Sequence, residues 1–411
     1  MNKNSKAYSY AMLFILMLGT AILYYSNMIY AVRANPAQAG ELIAFFGVSP
    51  ESLGALIPMI STIAGIPSAI FSIIVGNILD RRGVKMFVGA AMILTVACMA
   101  ARIFIQSYAG QVALTTLIGT FLLPIIIIGP KMIGSLFEPK DIPFAMGCYG
   151  AAGGMGTTLA FFTGPMYSTL PAGLTGITVI GAVVMLAWFI VCRNDGGGSE
   201  GPAPEIPKGA FSKVLKSSVM WKTMICGGCA VGASLIMNSN LQMAFGEKGF
   251  DASVLGTCMN VALIAGGILS GMVLGKIGKF NVPYLFICIV GGALFVLGWL
   301  VEPGPLTYVI FILAGLIVSA SVGVNFTRIP LLHMTGQFGI EMTGAASGML
   351  QTALGVFQFV LPTIVGAAFA DYTMKFIMAL VFLTIAGVLG LTIPELGIRG
   401  KLAQQNMPPQ P

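Results

Sequence analysis

Apolar stretches cut by short polar turns fall at residues 8–30, 52–75, 86–106, 111–134, 143–168, 174–192, 219–243, 252–274, 281–301, 305–330, 344–370 and 373–393. A helix rises about 1.5 Å per residue and a bilayer core is about 30 Å thick, so each stretch predicts one membrane-spanning helix. The pattern breaks once. Residues 193–218 open with Arg193-Asn-Asp-Gly-Gly-Gly-Ser-Glu-Gly-Pro-Ala-Pro and continue through Lys208, Lys213 and Lys216, a composition that predicts a flexible polar linker. The expected organisation is an N-terminal six-helix bundle over 1–192, a cytoplasmic linker over 193–218, a C-terminal six-helix bundle over 219–395 and a cytoplasmic tail over 396–411.

Composition agrees with this pattern. Charged residues make up 9% of the chain and hydrophobic residues 57%, against about 25% charged in soluble domains. The 53 glycines suit helices that approach closely in lipid. The fold class expected is all-α integral membrane, with twelve transmembrane helices in two six-helix pseudo-repeats. Lys3 and Lys6 precede the first apolar run, which is longer than the 7–15 residues or so of a signal-peptide core and reads as a retained helix. The seven cysteines lie mostly in apolar runs and read as packing residues; Cys226 and Cys229 lack the βαβ context of a redox motif.

Lysine and arginine bias sets the expected orientation. With the N-terminus inside, the cytoplasmic side collects 15 of the 21 basic residues, and the outside holds Arg33, Arg102, Lys248 and Lys375. Both termini are expected in the cytoplasm and the chain in the cell inner (plasma) membrane. Topology accounts for the net charge of +7, so no nucleic-acid partner is implied. The lipid bilayer is the expected surrounding, with no obligate protein partner and a monomeric state.

The remaining two cations, Lys131 and Arg328, fall within the fourth and tenth apolar runs, whereas all 14 acidic residues lie in or beside loops. A charge at membrane depth costs about 2.5–3.5 kcal/mol or more and marks a functional candidate. The positions are 197 apart, close to the 195 that separate two related loops, Gly76-Asn-Ile-Leu-Asp80-Arg81-Arg82-Gly83-Val-Lys85 and Gly271-Met-Val-Leu-Gly275-Lys276-Ile-Gly278-Lys279. Two cations in equivalent positions of two repeats could face one anion from opposite sides, arginine as a bidentate donor and lysine as a point charge. The bland alternative is that both snorkel to the cytoplasmic interface.

Residues Gly76 to Lys85 resemble the signature loop of the major facilitator superfamily, and Gly150, Gly153, Gly154, Gly156 and Gly164-Pro165 resemble its glycine-rich fifth helix. Pro130-Lys-Met-Ile-Gly-Ser-Leu-Phe137-Glu-Pro139 is similar to the cyanate/nitrate and oxalate–formate type anion porter branches, and Ser347-Gly348-Met349-Leu-Gln351-Thr to the eleventh helix of cyanate-type porters. The paired arginines of nitrate porters are absent. The resemblance implies alternating access, with Gly76, Asp80, Arg81, Gly83 and Lys85 forming a cytoplasmic latch that controls gating.

Polar stripes within apolar runs supply the other candidates for solute binding: Thr20, Tyr24 and Asn27; Ser234, Asn238 and Gln242; Ser321 and Asn325 on the face of Arg328; and Gln351 with Gln358. Any one of these also serves as an ordinary interhelical hydrogen bond. No catalytic, metal-binding or nucleotide motif is present, so neither an enzyme nor a cofactor is expected. The expected function is secondary active or facilitative transport of a small anion, a carboxylate or inorganic anion, by exchange or uniport. The alternatives are export of a larger, mostly apolar solute and proton-linked anion symport.

Overall fold

The structure, a computed structural model, describes residues 6–81, 84–137, 141–193, 210–277, 279–331 and 343–395. The first half comprises α1 (Lys6–Arg33), the short α2 (Ala39–Phe46), α3 (Leu53–Thr62), α4 (Gly65–Arg81), α5 (Val84–Phe104), α6 (Tyr108–Leu136), α7 (Ile142–Gly150), α8 (Ala152–Thr163) and α9 (Leu170–Val191). The second half comprises α10 (Ala210–Leu215), α11 (Ser218–Glu247), α12 (Ser253–Ile277), α13 (Asn281–Leu300), α14 (Pro305–Leu331), α15 (Thr343–Ala368) and α16 (Tyr372–Leu391). Eleven segments are long and apolar enough to cross a membrane, α3 and α4 together making one. The fifth apolar run supplies a further segment, split into α7 and α8.

Three departures from unbroken rods have local causes. Pro67 has no N–H for the carbonyl of Ile63 and clashes with it, so the second run breaks into α3 and α4 at Ile63 and Ala64. The fifth run, expected as one helix, is interrupted at Ala151 among Gly147, Gly150, Gly153, Gly154 and Gly156, where glycine lowers helix propensity. The linker, expected to be flexible throughout, ends in α10, whose apolar Val214 is fully buried. Side chains on the outside of the bundle are large and apolar: Phe104 is 80% and Ile190 81% exposed, a surface that only lipid would cover favourably.

The two halves meet along their length. Near one end Gly246 lies against Pro36, and Gly366 against Pro58 and the carbonyl of Gly54. Further along, α4 and α15 cross backbone to backbone at Gly65 and Gly355, with the Gln358 side chain beside the crossing. A Cβ on Gly65 would sit 2.5 Å from the Gly355 carbonyl oxygen, and one on Gly355 would sit 2.6 Å from that of Gly65. On the other side of the molecule Gly147 faces Ile268, Gly154 faces Leu263 and Ile264, and Phe161 fills the space beside Gly256. Helices α3, α4, α7 and α8 of the first half thus pack on α15 and α12 of the second, and α1 packs on α11.

Candidate functional site

Seven buried polar side-chain atoms have no hydrogen-bond partner among the described residues: Asn27 Oδ1, Ser61 Oγ, Thr158 Oγ1, Asn260 Oδ1, Thr352 Oγ1, Thr363 Oγ1 and Arg33 Nε. Six of them lie on helix faces where the halves meet. Ser61 shares a face with Pro58 and Gly65, which abut α15. Thr352 and Thr363 share the face of Gly355 and Gly366, which abuts α3 and α4. Thr158 stands between Gly154 and Phe161, the two α8 positions against α12. Asn260 lies among Gly256, Leu263 and Ile264, the α12 positions against α8.

Asn27 is placed by elimination on the helical wheel of α1, at about 100° per residue. Ala21 and Val32 face Gly156 and Gly164, Ile29 reaches Gly173 on α9, and Ser26 and Tyr30 face Arg102 on α5. Gly19 meets Ile125 on α6 and Thr20 reaches Tyr149 on α7, and the arc that remains holds Asn27 and is open to α3 and α11. Leaving a buried polar group unpaired costs about 1–3 kcal/mol. Six such groups gathered at one interface point to a surface that does not stay closed on itself.

The sequence candidates divide around this interface. Tyr24 packs its ring on Gly153, 3.2 Å from where a Cβ would be, one turn from Asn27. Asn238 accepts a hydrogen bond from Asn260 Nδ2 (2.8 Å) and donates to the Ser234 carbonyl (3.0 Å). Gln358 lies against Gly65 at the α4–α15 crossing, and Gln351 is two turns away on the same face of α15. Of these, Gln358 meets the other half, whereas the contacts of Tyr24 and Asn238 lie within their own halves. Thr20 donates to Tyr149 Oη (3.3 Å), and Tyr149 donates to the Ile126 carbonyl (2.7 Å). That carbonyl is an orphan of Pro130, which has no N–H to offer four residues on. Tyr149 fits there because residue 129 is glycine, whose Cβ would lie 2.4 Å from its ring.

Other candidates have different positions. Gln242 donates to Ser253 Oγ (2.6 Å) and Asp251 Oδ1 (3.2 Å) and accepts from Ala252 N–H (2.9 Å), so its amide is committed to the α11–α12 turn. In that turn burial opposes the charge of Asp251, but hydrogen bonds from Ser253 and Gln242 outweigh it and hold the carboxyl below its usual range. Arg328 is fully buried and turned into the second half. It donates to Asn325 Oδ1 (3.2 Å) and Asn281 Oδ1 (3.1 Å) and lies 4.5 Å from the Tyr284 ring centroid. Asn325 donates in turn to Tyr284 Oη (2.9 Å). The described neighbours of Arg328 are on α13, α14 and α16 of its own half. Lys131 is in α6 and Gly76, Asp80 and Arg81 are in α4, with side chains outside the described ones; Gly83 lies outside the described residues, and Lys85 is half-buried at the start of α5.

The sequence reading counted Arg33, Arg102 and Lys375 with the charges of the outer side and named none of them as a site candidate. All three are buried. Arg102 donates to Tyr30 Oη (3.0 Å), Gln111 Oε1 (3.3 Å) and the Ser26 carbonyl (3.1 Å). Lys375 donates to Asn240 Oδ1 (3.3 Å) and lies 4.4 Å from the Tyr372 ring centroid. Arg33 pairs with Glu41, the one ion pair among the described residues. Sequence signals for Arg102 and Lys375 existed in their proximity to apolar runs, but each is within a few residues of a run's end, where snorkelling is the default. Among the described residues no cluster of three His, Cys, Asp or Glu side chains is placed to hold a metal.

The chain matches the pattern of the Major Facilitator Superfamily over residues 10–362. No curated protein sequence matches it. Among solved structures it is similar to a bacterial homolog of the human lysosomal transporter Spinster, in an inward-facing and unoccupied conformation, with a TM-score of 0.71. The likeness covers 98% of this chain and 100% of that one at 14% sequence identity, which establishes a shared fold and nothing of the cargo. A family match across most of the chain, two helical halves meeting at a polar seam and an apolar outer belt agree: the chain belongs to the major facilitator superfamily and is a multi-pass membrane transporter, not an enzyme.

Proposed function

We propose that this transporter is an alternating-access exchanger of a small anion, bound between the halves by Tyr24, Asn27, Asn238, Gln351 and Gln358 together with Ser61, Thr158, Asn260 and Thr352. The observation that carries the site is the gathering of unpartnered polar atoms on the seam. It speaks against a large apolar cargo, which would satisfy none of them. Charge supports the sign of the solute. Arg102, Arg328 and Lys375 are buried with no carboxylate within 4 Å among the described residues. The described acidic side chains sit at helix ends or in turns: Glu41, Glu51, Asp141, Glu247, Asp251, Glu302, Asp371 and Glu395. In a low-dielectric interior such a field attracts anions and repels cations.

Exchange follows from the seam. When the empty carrier closes, each unpartnered group costs about 1–3 kcal/mol; a bound solute offsets this, so the loaded form closes more readily. Lys131 is the candidate charge on the first half. The orientation that the basic residues imply puts both termini in the cytoplasm and the carrier in the plasma membrane.

Counterflow in proteoliposomes tests the reading. Vesicles preloaded with a small carboxylate or inorganic anion should accumulate the same labelled anion, and Lys131→Ala should lower the initial rate at least tenfold. Accumulation of cations but not anions would contradict the proposal.

A further inference from the structure

Two of the unpartnered atoms, one in each half, stand at the same level of the α8–α12 contact. A Cβ on Gly154 would lie 2.9 Å from Leu263, 3.1 Å from Ile264 and 3.6 Å from the backbone oxygen of Asn260. One on Gly256 would lie 2.2 Å from the Phe161 ring. The helices therefore run antiparallel, and Thr158, one turn from both Gly154 and Phe161, falls opposite the stretch between Gly256 and Leu263. The polar side chain on the α8 face of that stretch is Asn260, at 1% exposure. Neither Thr158 Oγ1 nor Asn260 Oδ1 has a partner. Elsewhere on α8, Thr157 donates to the Gly153 carbonyl (3.0 Å) and Thr163 to the Leu159 carbonyl (2.7 Å), the ordinary back-bond of a helical threonine. Thr158 makes no such bond, so its proton is unspent. At Asn260 the oxygen is fixed by its neighbours. The Nδ2 donates to Asn238 Oδ1 (2.8 Å) and to the Gly256 carbonyl (2.8 Å), and a flipped amide would set oxygen against oxygen at both. Asn238 holds this orientation, its own Nδ2 donating to the Ser234 carbonyl (3.0 Å).

We propose that Thr158 donates to Asn260 Oδ1 in a second arrangement of the halves, reached when α8 slides along α12 by less than one helical turn, about 5.4 Å. An unspent donor and a fixed, unanswered acceptor at one level are a hydrogen bond that this arrangement leaves unmade. Making it relieves two buried groups at once, which favours the second arrangement over this one. The pairing needs only the transporter fold. Its consequence rests on the reading above: in the described arrangement both groups are free for a solute, and in the second they are withdrawn into each other. The slide then takes two contacts away from a bound solute and assists its release.

The test is the distance between spin labels at Phe162 on α8 and Leu269 on α12, both exposed on the outside of the bundle, in the full chain with its native cysteines replaced and no solute added. Phe162 lies near Gly256, and Leu269 is 13 residues further along α12, about 20 Å at 1.5 Å per residue, so a slide changes this distance directly. The wild-type side chains should give two populations. Thr158→Val, which keeps the shape and removes the proton, should reduce one of them at least threefold relative to the other, and Thr158→Ser should restore it. Asn260→Leu should reduce the same population, and the double variant should reduce it no further than the stronger single one. A single distance that no variant moves, or reductions that multiply in the double variant, would overturn the inference. Should Asn260→Leu fail to fold, since it leaves Asn238 Oδ1 without its donor, the contrast between Thr158→Val and Thr158→Ser decides alone. Identical distributions for those two variants would overturn the pairing. Because no solute enters the measurement, its failure leaves the anion reading standing, and failure of anion counterflow leaves the pairing standing.

Discussion

At the scale of single residues, the informative atoms are those that the fold leaves unanswered and those that it goes out of its way to answer. Tyr149 belongs to the second kind. It donates to the carbonyl that Pro130 orphans and receives the Thr20 hydroxyl. Tyr149→Phe should therefore lower stability by about 1–3 kcal/mol, the cost of a buried carbonyl without a partner, visible as a lower midpoint in thermal unfolding of the purified carrier; an unchanged midpoint would show that the carbonyl finds another donor. The stripes of Tyr24 with Asn27 and of Asn238 were legible because helical spacing puts polar side chains on one face. Asn260 was equally legible, as the lone asparagine of an apolar run, and was passed over. Gln242 and Arg328 show what helical spacing leaves open: it fixes the face of a helix but not which neighbour that face meets. For Gln242 the neighbour is its own turn, and for Arg328 it is α13.

Element packing sets how the halves move. The α4–α15 crossing places Gly65 and Gly355 backbone to backbone, so a methyl at Gly355 would lie 2.6 Å from the Gly65 carbonyl oxygen and 2.7 Å from Ala69 N. No flexible side chain is there to yield. Gly355→Ala should hold the halves apart at this level and reduce counterflow several-fold while the protein still purifies as a folded species. Gly54→Ala, which meets nothing within 4 Å, should transport normally; equal activity of the two variants would remove the crossing from the mechanism. Helix positions were largely readable from apolar runs, and the break at Ile63 and Ala64 could have been found from Pro67. The split at Ala151 could not, because glycine weakens a helix without dictating where it gives way. Nor could the meeting of α1 with α11 or of α8 with α12, which depends on how two bundles dock.

For the whole molecule, two bundles share a seam that carries unpartnered polar groups, while Arg102, Arg328 and Lys375 are buried within the halves. Where its described residues meet, the seam holds unpartnered groups that a solute would satisfy, and in the proposed mechanism this couples loading to closure. Sequence alone, in agreement with the family match, pointed to the membrane class and to two helical halves. It underestimated the buried charge, because Arg102 and Lys375 lie near run ends where topology rules assume water. The central claim is that the two ends of the seam open in alternation. Distances between spin labels test it most directly, in a chain whose native cysteines are replaced. One pair, at Glu51 and Ala370, flanks the end where Pro58 meets Gly366; a second, at Phe144 and Leu269, flanks the level where Gly147 meets Ile268. The account predicts that whenever one pair lengthens the other stays short, and that a transported anion raises the fraction in which both are short. Both pairs lengthening together, or neither changing with a transported anion, would contradict it.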